Sequence, residues 1–476
     1  MLSVPERRSR AASRTGHVAV SDASQNGASM QVHDDAVQPR GLARRANARR
    51  ALTAMPRGFH LLITAQFFSA LADNALLIVA IALLQERGLP GWWAPLLKFS
   101  FTLSYVFLAP VVGVLADAIP KARLMAIMSG VKIVGAVLLV AGWHPVAAYA
   151  VVGFGAAAYA PAKYGLVTEI VGAPRLVAAN GWIEVSVVCA ALLGTVLGGL
   201  LVADVVVGSD ASRATQVWLA GLAGLGAFGA GAASMFGLST VVLLAVYAFA
   251  GVLNLGVRDS GARYPTARVH VLALQRDFAA ANRTLWRDAD GGLSLAVTTI
   301  FWGVGATLQF AVLRWASDVL ALPLAQAAYL QVAVAVGVVI GATLAGRWVG
   351  LGQAKRVLPA GVVLGLLMPV IAATDSLVVA LPLLVAVGVV GGVLVVPLNA
   401  LLQHRGHALL TAGRSIAVQG FNENLSILVM LSAYAAMLAL DVPIVPLMSG
   451  FGLVVAAAVG ALIWRERVSA RRLAVP

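Results

Sequence analysis

Charge is what this sequence has least of. Only 11% of its 476 residues are charged, against 60% hydrophobic. A soluble chain of this length carries roughly 25% charge to cover its core. That deficit excludes a soluble protein and leaves most of the surface to lipid. Cysteine is nearly absent: Cys189, inside an apolar run, is the single one, so no intrachain disulfide framework is possible. No cluster has metal-ligand spacing, no G-x4-GK[ST] run marks a nucleotide-phosphate site, and no G-x-S-x-G elbow offers a nucleophile. No cofactor is expected, and an enzyme such as a membrane-bound acyltransferase is the weakest reading.

The charge that is present is one-sided, 34 Lys and Arg against 20 Asp and Glu, for a net +14. It does not imply a nucleic-acid partner, because the basic residues lie between and beyond apolar runs rather than on an aromatic-rich soluble domain. Twelve such runs fall near 59–84, 94–116, 124–142, 145–166, 181–203, 237–257, 293–316, 327–349, 357–374, 376–401, 415–439 and 443–464. Each is long enough to cross about 30 Å of hydrocarbon as a helix. The 48 glycines suit close-packed membrane helices rather than membrane strands.

Lysine and arginine then choose a side. Ten arginines precede the first run, Lys121 and Arg123 sit between the second and third, and Arg175 follows the fourth. Six arginines lie within 258–292, and Arg347, Lys355, Arg356, Arg405, Arg414, Arg465, Arg467, Arg471 and Arg472 complete the set. With twelve spans all of these share one face, which places both termini in the cytoplasm. The stretch 217–235 is also apolar; a separate crossing there would invert every later loop. It is read as a Gly/Ala-rich surface or re-entrant insertion within about 205–236, or as part of one long span.

The predicted organisation is therefore a basic disordered N-terminus over 1–57, a first helix bundle over 58–257 and a cytoplasmic linker over 258–292. A second bundle over 293–464 and a basic tail over 465–476 follow. The N-terminus has no apolar signal-peptide core, and Met55, ahead of "PRGFHLL", is a candidate alternative start. The fold class is an all-α polytopic membrane protein of two similar six-helix halves.

Polar residues inside the spans are the functional candidates, since an ionised group at bilayer depth costs from about 3 to more than 10 kcal/mol unless rescued. In the first span Gln66, Asp73 and Asn74 share one helical stripe. Asp73 either lines a transport path or is a structural partner for another helix. Lys132 in the third span is a snorkelling or cavity lysine. Lys163 follows Pro161, a helix-loosening proline. Three readings stand for Lys163: neutralising Asp73, binding a phosphate, or snorkelling to the interface. Glu184 lies one turn after Asn180. In the seventh span Gln309 precedes Arg314, which either pairs with Asp318 near the surface or lines the cavity. The densest group is Gln419, Asn422, Glu423 and Asn424 in the eleventh. Between spans two and three, Gly113, Asp117, Lys121 and Arg123 make either an ordinary basic loop or a polar clamp that holds one closed state.

That loop, "GVLADAIPKAR", resembles the signature between helices two and three of the major facilitator superfamily. "AQFFSALADNALL", "GAAAYAPAKYG", "ANGWIEVSVVCAALLG", "VVPLNALLQHRG" and "AVQGFNENLSILVML" are similar to blocks of its lysophospholipid transporter family. The likeness runs from about Phe59 to Arg467, interrupted at 205–236. It implies twelve transmembrane helices in two six-helix bundles and a flippase of the bacterial inner membrane. Such a protein carries lysophosphatidylethanolamine and lysophosphatidylglycerol from the outer to the inner leaflet. There an acyltransferase/acyl carrier protein synthetase restores the missing chain. Asp73, Lys132, Lys163, Glu184, Asn422, Glu423 and Asn424 match polar positions of the family blocks. Gln309 stands where relatives have an arginine, which shifts any phosphate contact towards Arg314 or the lysines. The rival within transport is a proton-coupled carrier exporting drugs or small metabolites.

Overall fold

A computed structural model describes residues 55–89, 93–224, 234–262, 264, 271–322 and 324–473. The expected disordered N-terminus, apart from its last three residues, and the end of the tail lie outside the described residues. Fifteen α-helices and no strand occur within them. In chain order these are α1 (Arg57–Glu86), α2 (Trp93–Ala118), α3 (Lys121–Val140), α4 (Pro145–Ile170), α5 (Leu176–Leu201), α6 (Asp204–Val207), α7 (Asp210–Gly224) and α8 (Gly237–Gly256). There follow α9 (Val271–Arg287), α10 (Ala289–Asp318), α11 (Leu324–Trp348), α12 (Leu358–Ala372), α13 (Leu377–Leu409), α14 (Ala412–Ala439) and α15 (Ile444–Leu473).

Twelve of these are long and apolar enough to cross a membrane: all but α6, α7 and α9. The helices outrun the apolar runs at several ends because polar caps extend them. Asp288 caps α10, accepting from the Gly291 amide at 2.7 Å, whereas hydropathy alone begins that span at 293. His144 and Thr411 cap α4 and α14 in the same way. The apolar stretch 217–235 does not yield a further span among the described residues. Its first part belongs to α7, whose described 15 residues are too few to cross the hydrocarbon, and 225–233 lies outside the described residues.

Helices α1–α5 and α8 form one bundle and α10–α15 the other. Lipid tails are as apolar as leucine, so burial from water does not hold such helices together; close packing and internal polar bonds do. In the second bundle α11 and α13 meet through the facing glycines Gly337, Gly341, Gly388 and Gly392. Twelve crossings put the α2–α3 turn, the α4–α5 turn and α9 on one face of the molecule, here called the linker face. Helix α9 was not foreseen in the linker, although Leu274, Phe278, Ala281 and Leu285 repeat at helical spacing; they form the face it packs on α10, α14 and α2.

Ion pairs pin the second bundle at the linker face. Arg405 bonds both oxygens of Asp288, at 3.1 and 2.5 Å. Lys355 bridges Asp290 and Glu466. The Arg405 guanidinium holds the Asp288 carboxyl below the ordinary carboxylate range. A depressed pKa adds stability above the unfolded-state value, and that stability is lost as pH falls through the folded one. Thermal unfolding of the wild type and Arg405→Ala should therefore differ at neutral pH and converge in acid. A gap that widens in acid would contradict this linkage.

Candidate functional site

The first polar centre lies inside the N-terminal bundle. Asp73, midway along α1, pairs with Lys132 of α3 at 2.6 Å, with side chains 15% and 2% exposed. The Lys132 ammonium also donates to Ser69 at 2.9 Å, one turn before Asp73. Three tyrosines complete the cage. Tyr247 of α8 donates to Asp73 Oδ1 at 2.8 Å and Tyr149 of α4 to the Asp73 carbonyl at 3.2 Å. The rings of Tyr159 and Tyr247 flank the Lys132 ammonium at 5.3 and 6.0 Å. Behind them Tyr159, Asn254 and Ser129 form a buried chain of hydrogen bonds. The carboxylate thus has its cation and donors in place, which is what lets it sit at hydrocarbon depth.

A second centre lies between the bundles. Lys163 of α4 and Glu184 of α5 are both buried, yet among the described residues neither makes an ion pair or hydrogen bond; Lys163 rests on the Tyr164 ring at 4.2 Å. They lie within electrostatic reach of each other, and Lys163 also of Asp73 and Lys132. Across from them on α14, Gln419 donates to Glu423 at 2.9 Å and to Asn399 of α13 at 3.0 Å. Glu423 is within reach of Glu184 and of Thr298 on α10. Gln66 donates to Ser186 at 3.4 Å. The Gln66 and Gln419 carbonyl oxygens are buried without a hydrogen-bond partner. Unspent polar groups of both signs facing one region mark a place for a polar ligand or water.

The bundles close on the linker face below this region. Asp117, at the end of α2, accepts from the Thr411 hydroxyl and from the Gly413 amide at 2.9 Å, so it caps α14 across the bundle boundary. Gly113 lies directly against Gly413, Arg414 and Ala417. Lys121 pairs with Glu169 at 2.7 Å, both almost fully buried, and Tyr264 and Ser260 of the linker also donate to Glu169. Gly181 of α5 packs against the backbone of Ala342 in α11. Beside it Asn180 and Gln403 of α13 exchange two amide hydrogen bonds, each 2.9 Å. Among the described residues no hydrogen bond or ion pair joins the bundles at the opposite face. Each member of a buried reciprocal amide pair is worth about 1 kcal/mol. A double-mutant cycle on Asn180→Ala and Gln403→Ala should therefore show coupling of that order in stability. Additive effects would break the link.

Other sequence candidates point elsewhere. Asn74 bonds back to the Ala70 carbonyl and abuts Gly194 of α5. Asn422 turns away from Glu423 towards α9, where it accepts from Trp286 at 3.1 Å and donates to Asn282 at 2.9 Å. Asn424 bonds its own helix at Gly420. Gln309 is exposed and offers its backbone carbonyl to Gln331. Arg314 and Asp318 pair at 3.2 Å, both nearly half exposed, which is the surface alternative of the two readings. Arg123 is exposed at the linker face. Sequence reasoning passed over the tyrosine cage and Lys98, whereas it places Ser69 on the inward stripe of Gln66, Asp73 and Asn74. Lys98 is exposed on α2, 5.7 Å from the Phe101 ring and within electrostatic reach of Asp73. Its place in an apolar run was the available signal.

A groove of about 430 Å³ runs along α2 and α4, lined by Ser100, Leu103, Ser104, Phe107, Leu108, Ala150, Val151 and Phe154. On the same two helices, Phe101 of α2 lies against the rings of Tyr105 and of Tyr149, the latter a member of the Asp73 cage. The helices that line the apolar groove therefore also carry residues of the polar centre.

The model described as Major Facilitator Superfamily matches residues 62–430. The lysophospholipid transporter LplT of Yersinia enterocolitica is 39% identical over 402 residues, spanning 84% of this chain and 92% of that protein. The transporter of the same name in Yersinia pestis is 40% identical over 392 residues, 82% and 89% of the two chains. Of the solved structures, the transporter FucP in its outward conformation superposes with a TM-score of 0.65 at 14% identity, over 86% of this chain and 98% of its own. A bacterial homologue of the iron transporter ferroportin, outward-facing, gives 0.58 at 15% identity over 87% and 98%. At such identities the two structures speak for the fold alone. The chain belongs to the Major Facilitator Superfamily and, within it, to the lysophospholipid transporter family.

Proposed function

We propose that this chain carries lysophospholipids, lysophosphatidylethanolamine and lysophosphatidylglycerol among them, across the bacterial inner membrane by alternating access. The observation that carries the reading is a buried Lys163 and Glu184 without an ion-pair partner among the described residues, the latter within electrostatic reach of Glu423 in the other bundle, together with an apolar groove on α2 and α4. A one-chain phospholipid needs both: polar groups for its headgroup and a greasy trough for its tail. Lys163 supplies a cation for phosphate; Glu184, Glu423, Gln66 and Gln419 supply acceptors for ammonium or hydroxyl donors. Asp73 and Lys132 form the fixed charge pair beside them. The tail lies against Leu103, Phe107, Ala150, Val151 and Phe154.

The basic excess of the linker face supports a cytoplasmic placement for that face and for both termini. The closure through Asp117, Gly113 and Asn180 then seals the inner side and leaves the cleft to receive lipid from the outer leaflet. Closure of the opposite ends and release of these contacts would deliver the lipid inward. Reacylation by an acyltransferase/acyl carrier protein synthetase would keep the gradient downhill.

The test is flipping of labelled lysophosphatidylethanolamine in liposomes holding purified protein. Flipping without a proton gradient is expected. No flipping, with gradient-driven export of amphipathic drugs instead, would transfer the chain to the efflux-carrier reading. Within the same assay Ala150→Trp, which fills the groove, should slow long-chain lysolipids several-fold and short-chain ones less. Equal slowing of both would remove the groove from the tail path.

A further inference from the structure

The segment between α5 and α8 holds α6 and α7, and the transport cycle as described has no use for it. Its main helix, α7, has two unlike faces. Ser212, Thr215 and Leu219 lie on one, against the start of α8: Ser212 donates to the Met235 carbonyl at 3.3 Å, and Leu219 and Thr215 flank Gly237. The other face carries Ala214, Val217, Trp218 and Gly221. Val217 is 74% and Trp218 60% exposed, and Val205 on the preceding α6 is 86% exposed. Polar groups on the exposed side, Asp210 and Arg213, are confined to the first turn and pair with each other.

The level of α7 along the molecule is fixed. Ser239 of α8 donates to the Leu201 carbonyl at 2.7 Å, joining the end of one membrane span to the start of the next. Glu86, at the end of α1, accepts from the Ser234 hydroxyl at 2.6 Å and the Met235 amide at 2.9 Å. Helix α7 therefore crosses the end of α8 where three spans leave the hydrocarbon. The exposed stripe Leu193, Val196 and Leu200 on α5 leads the lipid-facing belt up to the same level.

We propose that the exposed face of α7 is seated in the lipid surface at the end of the membrane opposite the linker face. Tryptophan and valine at this level partition into the headgroup–acyl boundary, as on other interfacial helices. Charge does not drive the seating, because Arg213 is neutralised by Asp210 and Asp204 leaves the segment slightly acidic. The attachment is thus insensitive to salt and to the anionic lipid fraction. The polar first turn stays in water and the Val217–Gly221 end dips deeper. Seated in this way, the insertion restrains the outer end of α1 through Glu86.

The experiment uses the full chain with Cys189→Ser, in liposomes of phosphatidylethanolamine and phosphatidylglycerol, spin-labelled at Val217→Cys or Arg213→Cys. The label at 217 should be several-fold more accessible to oxygen than to a water-soluble nickel chelate, with the reverse at 213 and no change at high salt. Nickel access at 217 would place that face in water, and low access to both reagents would place it against protein; either result overturns the proposal. As a second measurement, the emission lost in Trp218→Phe should be quenched by chain-brominated lipids. Quenching of that component by aqueous acrylamide alone also overturns it.

Discussion

Asp73→Ala is expected to abolish most lysolipid flipping, at least tenfold, while the protein still inserts and keeps its twelve spans. The reason lies in what the carboxylate holds. Lys132 is almost wholly buried, and among the described residues Asp73, Ser69 and two tyrosine rings attend its ammonium. Removing one partner of a buried ion pair costs roughly 3–5 kcal/mol, because the other charge is left uncompensated. The stranded ammonium would draw in water or swing towards the cleft, where it would repel Lys163 and spoil headgroup binding. Asp73→Ala with Lys132→Ala should recover much of the lost stability but little transport. Thermal unfolding and liposome flipping on the two single variants and the double one check this. Full transport in the double variant would reduce the pair to scaffolding, which is the structural alternative left open by the sequence.

Gly113→Leu is expected to be as damaging by another route. A Cβ at this position would lie 2.9 Å from the Ala417 Cβ and 3.0 Å from the Arg414 Cα, closer than side chains approach one another. Leucine must therefore push α2 from the start of α14, pulling Asp117 off the Gly413 amide and the Thr411 hydroxyl. The linker-face seal would fail, and transport should fall tenfold or more. Asp117→Ala, which loses the cap without the clash, should fall less. Labelling of a linker-face cysteine within the seam should rise in both. An unchanged seam with Gly113→Leu would show that this closure is not part of the cycle.

How much could be read beforehand follows from what each residue signals alone. A charge in an apolar run is conspicuous, so Asp73, Lys132, Lys163, Glu184 and Glu423 were visible. That the first two would neutralise each other was not, because their pairing depends on how α1 and α3 cross. Tyrosine in an apolar span is read as ordinary packing or interface, so the cage around Lys132 went unseen. Asn422 misled for a local reason: it shares a turn with Gln419 and Glu423, yet Trp286 and Asn282 on α9 draw it to the other side. The loop at Asp117 was legible as a possible clamp, but its partners lie nearly three hundred residues away, at Thr411 and Gly413. Helix number was the easy part, since hydropathy and length together leave little freedom.

The central claim is that ionisable side chains at hydrocarbon depth line a wet cleft between two bundles, shut at the linker face. It is tested most directly by replacing Lys163 or Glu184 with cysteine in a Cys189→Ser background and adding a membrane-impermeant thiol reagent to one side at a time. The account predicts labelling from the side opposite the linker and protection by lysophosphatidylethanolamine. Reaction with a lipid-soluble reagent alone, unaffected by lysolipid, would contradict it.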